Sequence, residues 1–204
     1  MSTDQTTVNP RKRPRQARAA ATFDAILEAA ARILEKDGFE NVNTNAVAEL
    51  AGVSVGSLYQ YFPTKEAILA ELLRFNRNIL REKVKAAVTG ATGKTLEQAM
   101  DLLIEAGVSH QFERPELALA LEHVESILPI NNETLALIQA IVDDIETLLS
   151  AHNVSNPDEV SRDIVAIVKG IVDAEAFAKE VDEAALHRRL RRAVLGYLSY
   201  RGQH

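Results

Sequence analysis

The sequence predicts an all-α protein, on three observations. The 204 residues include only 9 glycines and 6 prolines, and alanine, leucine and glutamate abound, a composition that favours helices. Apolar residues recur three and four apart along most of the chain, and no segment sustains strand alternation. Helix start and stop signals punctuate that pattern, among them Gly38, Ser54, Pro63 and the pair Asn156-Pro157. A hydrophobic fraction of 47% is ample for a core.

About nine helices follow in order. Residues 1–15 are polar, proline-punctuated and basic, and read as a flexible arm. A helix over 16–37 presents Phe23, Ile26, Leu27, Ala30, Ile33 and Leu34 on one face. Gly38 is placed as a left-handed C-cap, with Phe39 folding back on Leu34 in the Schellman manner. A short helix over 45–51 has Thr44 as its expected N-cap, and Gly52-Val53 makes a turn. Ser54 is positioned to cap a helix over 55–62, in which Leu58 and Phe62 point inward. Pro63 breaks the chain before a connecting helix over 64–88. Five more helices are expected over 95–112, 115–128, 132–152, 157–180 and 183–201. The division is thus an arm, a helix-turn-helix unit over 16–63 with its connecting helix, and a C-terminal domain over 95–204.

Several classes of function find no support. There is no cysteine, hence no disulfide framework or thiolate metal site, which fits a cytoplasmic protein. The first ten residues lack the apolar segment of a signal peptide, and the run IVAIVKGIV is interrupted by Lys169 before it reaches membrane-spanning length. The GKT of residues 93–95 has no strand before it and reads as a loop with capping residues, not a phosphate cradle. Glu122, His123 and Glu125 share a helix face poorly, which argues against a metal. No nucleophile–base–orienter set is visible, so no catalytic residue, enzyme activity or cofactor is expected.

The net charge of −6 is unevenly distributed. Residues 1–89 hold 13 basic and 10 acidic side chains; the remainder holds 10 and 19. A basic N-terminal part and an acidic C-terminal part suggest different partners. In the N-terminal part, two short helices joined by a glycine turn after a longer helix form a helix-turn-helix. The second helix of such a motif lies in the major groove of DNA. Gly56 would let the backbone approach the duplex, at a cost of about 1 kcal/mol in helix propensity. Ser57 and Gln60 lie on the side opposite Leu58 and Phe62, and glutamine pairs bidentately with adenine. Tyr59 and Tyr61 can donate hydroxyl hydrogen bonds to phosphates. Lys65, in the first turn of the next helix, would be satisfied there by a phosphate. Arg11, Arg13 and Arg15 of the arm are expected to touch phosphates.

The stretch NTNAVAELAGVSVGSLYQYFPTKEAIL, residues 43–69, resembles the DNA-binding domain of the TetR family of transcriptional regulators. The likeness covers about residues 17–80. It implies that Thr44, Tyr59, Tyr61 and Lys65 touch phosphates, and that Asn45, Val55, Gly56, Ser57 and Gln60 face bases. It implies a homodimer on a near-palindromic DNA operator, acting as a repressor and released when a small-molecule effector enters a cavity in the C-terminal domain. The alternative is a DNA-binding regulator without such a switch, controlled by a protein partner.

In the C-terminal part the candidates are broader. Pocket-lining residues proposed from helical stripes are Phe75, Met100, Leu103, Gly107, His110, Phe112, His123 and Gln139, with core packing the competing role for each apolar one. The expected dimer seam uses the last two helices, through Ile164, Val168, Ile171, Val172, Leu190, Val194 and Tyr197. Basic residues 188, 189, 191 and 192 are expected to pair with acids on the preceding helix, such as Asp163 and Asp173, with a solvated face as the competing role.

Overall fold

The computed structural model describes residues 8–13, 17–176 and 181–201. Among these the regular elements are nine α-helices and one 3₁₀ turn: α1 (Ala17–Asp37), the 3₁₀ turn (Phe39–Asn41), α2 (Thr44–Leu50), α3 (Val55–Tyr61), α4 (Lys65–Gly90), α5 (Leu96–Phe112), α6 (Pro115–Ile127), α7 (Asn131–Ala151), α8 (Pro157–Ala176) and α9 (Glu183–Arg201). The all-α expectation is met, and each helix lies within a few residues of its expected span. None of the described helices is long and apolar enough to cross a membrane.

Two compact units share the chain. The first comprises the described residues of 1–77 and 116–132; the second comprises those of 78–115 and 133–204. The long helix α4 therefore serves both, and α6 belongs to the first unit rather than to the C-terminal set in which it falls by order. The first core is built on Ile26, Leu34, Leu58, Phe62, Ile68 and Leu121, all essentially inaccessible to solvent. The second is built on Met100, Ile104, Leu149, Ile164, Leu186 and Leu190. In it α5, α8 and α9 pack on one another.

Local chemistry explains most of the boundaries. Gly38, at φ 79°, closes α1 through one bond from its N–H to the Leu34 carbonyl, 3.1 Å. A 3₁₀ turn follows directly. The Gly38 ψ of 174° is extended, so the closure is not the Schellman arrangement expected from the sequence. The N-cap of α2 is also corrected. It is Asn43, whose Oδ1 accepts the Ala46 N–H at 2.9 Å, while Thr44 is already the first helical residue. Ser54 does cap α3, accepting the Ser57 N–H at 3.1 Å. Thr95 and Gln98 form a reciprocal capping box at the start of α5, so the GKT segment ends in a cap.

The arm is corrected over its described part. Residues 8–13 lie against α3 and α4 rather than free of them. Val8 is buried in the first core, and the Arg11 N–H donates to the Tyr61 carbonyl at 2.7 Å.

Candidate nucleic-acid interface

The first unit displays one short helix with two chemically distinct sides. On the inner side of α3, Leu58 and the C-cap residue Phe62 are fully buried. Phe62 stacks on Phe23 of α1 with ring centroids 4.8 Å apart. On the outer side Val55, Gly56, Tyr59 and Gln60 are exposed, and Ser57 is half-buried. A short helix held by two aromatic or aliphatic anchors and open on its polar face can be completed by a polar partner.

Each DNA-facing candidate now has a position. Asn45 stands exposed on α2. The Thr44 hydroxyl meets the Tyr59 hydroxyl at 3.1 Å, joining α2 to α3. The Ser57 hydroxyl meets that of Ser54 at 2.8 Å, so this candidate base reader also supports the cap of its own helix. Gly56 has open space where a Cβ would stand, the Ser54 hydroxyl being 4.0 Å away. Nothing in the protein itself therefore requires glycine there. Tyr61 is half-buried, its ring edge-on to Phe23 at 5.9 Å. It braces α3 on α1. The Lys65 ammonium lies 4.4 Å above the Phe39 ring, a cation–π contact that holds the charge at the start of α4. Thr64 accepts the Ala67 N–H and caps that helix.

The arm candidates are engaged within the protein. The Arg11 guanidinium donates to the Tyr59 carbonyl at 3.2 Å, and Arg13 pairs with Glu71 at 3.3 Å. Both side chains remain exposed. Arg15 lies outside the described residues.

Sequence reasoning missed several positioning residues. Arg74, half-buried beside the buried Glu71, donates to the Val8 carbonyl and to Asn9 Oδ1, each at 3.1 Å. Arg77 is buried and pairs with Glu125 of α6 at 2.7 Å. The His123 ring packs edge-on to Phe39 at 5.8 Å. No group of three potential metal ligands occurs among the described residues. Only Asn43, a residue type that favours helix caps, gave a usable sequence signal.

The pocket candidates are divided between the two units. Phe75 and His123 belong to the first unit and the other six to the second. Phe75 and Gln139 are exposed, and Gln139 donates to Asp143 at 2.7 Å. Met100 and Leu103 are buried in the second core, and a Cβ on Gly107 would lie 3.5 Å from the Val168 side chain. That is ordinary van der Waals contact, so the approach of α8 at Gly107 leaves room for a methyl group. Phe112 and His110 are half-buried. The His110 imidazole is pushed down from 6.5 to about 4, first by burial and then by the Lys83 ammonium, with Glu113 opposing. Lys83 pairs with Glu113 at 2.7 Å and holds that carboxyl below its usual range.

The expected dimer surface is corrected in part. Ile164, Val172, Leu190 and Val194 are buried in the second core and offer no surface to another chain. Val168, Ile171 and Tyr197 are half-buried. The basic run of α9 meets expectation in part: Arg189 pairs with Glu175 of the preceding helix α8, whereas Arg191 pairs with Asp101 at 2.9 Å and Glu97 at 3.1 Å on α5. Asp173 pairs with Lys169, and Asp163 accepts from the Tyr197 hydroxyl.

The geometry defines a helix-turn-helix protein with a separate helical unit. Residues 26–72 match the model of the bacterial regulatory proteins of the tetR family, and residues 95–198 match that of the tetracyclin repressor-like C-terminal domain. The chain belongs to the TetR family of DNA-binding transcriptional regulators. The HTH-type transcriptional repressor KstR of Mycobacterium tuberculosis is 45% identical over 69 residues, 33% of this chain and 31% of the repressor. The match thus spans about a third of that relative's length. The HTH-type transcriptional regulator Rv1255c of the same organism is 28% identical over 173 residues, 83% of each chain. The structure of the fatty acid degradation regulator FadR from Bacillus halodurans superposes with a TM-score of 0.70 at 17% identity, covering 91% of this chain and 97% of that one. That likeness concerns the fold.

Proposed function

We propose that this regulator is a cytoplasmic repressor that reads a near-palindromic operator as a homodimer and is released by a small-molecule effector. The observation that carries the DNA part is the two-sided α3, with Leu58 and Phe62 fully buried and Gly56, Tyr59 and Gln60 exposed. Gln60, Ser57, Asn45, Val55 and Gly56 face bases in this reading. Thr44, Tyr59, Tyr61 and Lys65 face phosphates.

An effector site in the second unit is supported by three buried polar atoms that reach no protein partner: Arg81 Nε, Gln111 Nε2 and Asp144 Oδ2. Buried polar atoms are normally satisfied, and a ligand carrying both donors and acceptors would satisfy these. A dimer seam is supported on the outer side of α8 and α9. There Ile167, Ile171, Leu195 and Leu198 stay half-buried, and Gly170 and Gly196 have nothing within 4 Å of an added Cβ.

The test is a mobility-shift series on duplexes selected from a random pool, at several salt concentrations. Sequence-preferring binding at low salt, of two protomers per duplex, is expected. Equal binding to all sequences would overturn the reading.

A further inference from the structure

The C-terminal end of α3 has an unusual problem, set by the sequence itself. In a continuing helix the Tyr59 carbonyl would accept the N–H of residue 63, but that residue is Pro63 and has none. The helix ends at Tyr61, and of its last four carbonyls that of Leu58 finds its helical partner, the Phe62 N–H at 2.9 Å. Two of the remaining carbonyls are satisfied from 48 or 50 residues away. Arg11 donates its guanidinium to the Tyr59 carbonyl at 3.2 Å and its backbone N–H to the Tyr61 carbonyl at 2.7 Å. A guanidinium there also meets the negative end of the helix dipole.

Arg11 is held in place by a built seat. Three residues before it, Val8 is buried in the first core. The Arg74 guanidinium donates to the Val8 carbonyl and to Asn9 Oδ1. Arg74 is itself fixed by the buried Glu71, 3.1 Å away, which also receives Arg13 on the far side of Arg11. The strap is thus pinned before and after the residue that caps the helix.

We propose that residues 8–13 are a positioning strap that caps α3 from outside and sets its orientation for DNA, with Arg11 as the cap and Val8, Glu71 and Arg74 as its seat. This rests on the reading that α3 meets DNA. In this role Arg11 acts through the helix it caps rather than by adding charge to the duplex contact.

The experiment uses the full chain, Val8→Ser and Arg74→Lys, both of which preserve the charge of the strap and its anchor. Amide hydrogen exchange is read at Arg11 and Phe62, and affinity is read for a duplex selected from a random-sequence pool by the wild-type chain. Protection of the Arg11 amide is expected in the wild type and lost in both variants, with faster exchange at Phe62. Affinity should fall about three- to tenfold, the range for losing a hydrogen bond, with the slope of log K against log salt unchanged. A freely exchanging Arg11 amide in the wild type would overturn the proposal. So would unchanged affinity in both variants, or a slope smaller by about 0.9, the mark of one lost phosphate contact. If the wild-type chain selects no duplex, the DNA reading fails, and exchange at Arg11 and Phe62 still decides whether the cap exists.

Discussion

The Thr44 hydroxyl lies 3.1 Å from the Tyr59 hydroxyl, so the first residue of α2 is tied to an exposed residue of α3. Each hydroxyl keeps capacity for another hydrogen bond. One of the two hydroxyl protons is used within the pair, so the other hydroxyl is left to donate to a phosphate oxygen, with no new side-chain ordering on binding. Tyr59→Phe is expected to weaken operator binding about five- to tenfold and to leave thermal stability nearly unchanged, because the pair is exposed. Unaltered affinity in a titration would remove Tyr59 from the phosphate set.

The caps of α2 can be separated by mutation. Asn43→Ala should destabilise the first unit by about 1 kcal/mol in denaturant unfolding, as loss of an N-cap does. Thr44→Ala should cost less stability but more DNA affinity. The reverse ranking would return the cap to Thr44.

Gln60 and Lys65 should fail in different ways. Gln60→Ala is expected to relax base preference at one position, with a loss of about 1–3 kcal/mol against the preferred base only. Lys65→Ala should weaken all sequences alike and lower the salt slope by about 0.9. Equivalent losses of specificity from both would contradict the assignment.

His110 makes the second unit acid-sensitive. Its folded value of about 4 lies below the ordinary 6.5, so between those values the unfolded chain binds the extra proton. Stability should therefore fall as pH drops from 6.5 towards 4. The slope from this one group is at most about 1.4 kcal/mol per pH unit, and less where water still reaches the ring. Urea unfolding of His110→Gln at pH 7, 6 and 5 should show a flatter dependence than the wild type. Parallel curves would show that His110 is not the group responsible.

The outer face of α8 is open to an association test. Gly170→Leu adds a side chain where the protomer has free space. Folding should be maintained or improved, since glycine costs a helix roughly 0.5–1 kcal/mol, while sedimentation should shift towards monomer. A dimer of unchanged strength would place the seam elsewhere.

The helices were legible because each carries an apolar stripe at helical spacing, and α3 because Ser54 and Pro63 bracket it with Leu58 and Phe62 four apart. The cap of α2 was less so. In Asn43-Thr44-Asn45 three residues of capping type are adjacent, and the extended backbone of Asn43, φ −141°, decides among them. The strap was invisible, because a single valine among polar residues has no period to reveal that it is buried. Four seam candidates on α8 and α9, Ile164, Val172, Leu190 and Val194, proved to be core residues for the opposite reason. Apolar residues cover so wide an arc that the pattern does not tell Ile164 and Val172, which face the protomer's own core, from Ile167 and Ile171. The pairing of buried Arg77 with half-buried Glu125 joins residues 48 apart, which no local spacing encodes.

Tyr59 and Tyr61 on α3 are two of the chain's four tyrosines; the other two, Tyr197 and Tyr200, are on α9. Biosynthetic incorporation of fluorotyrosine would therefore give a fluorine spectrum of only four resonances. Two would report the helix proposed to read DNA and two the helix proposed for subunit pairing, so operator and effector titrations could be followed at both places in one sample.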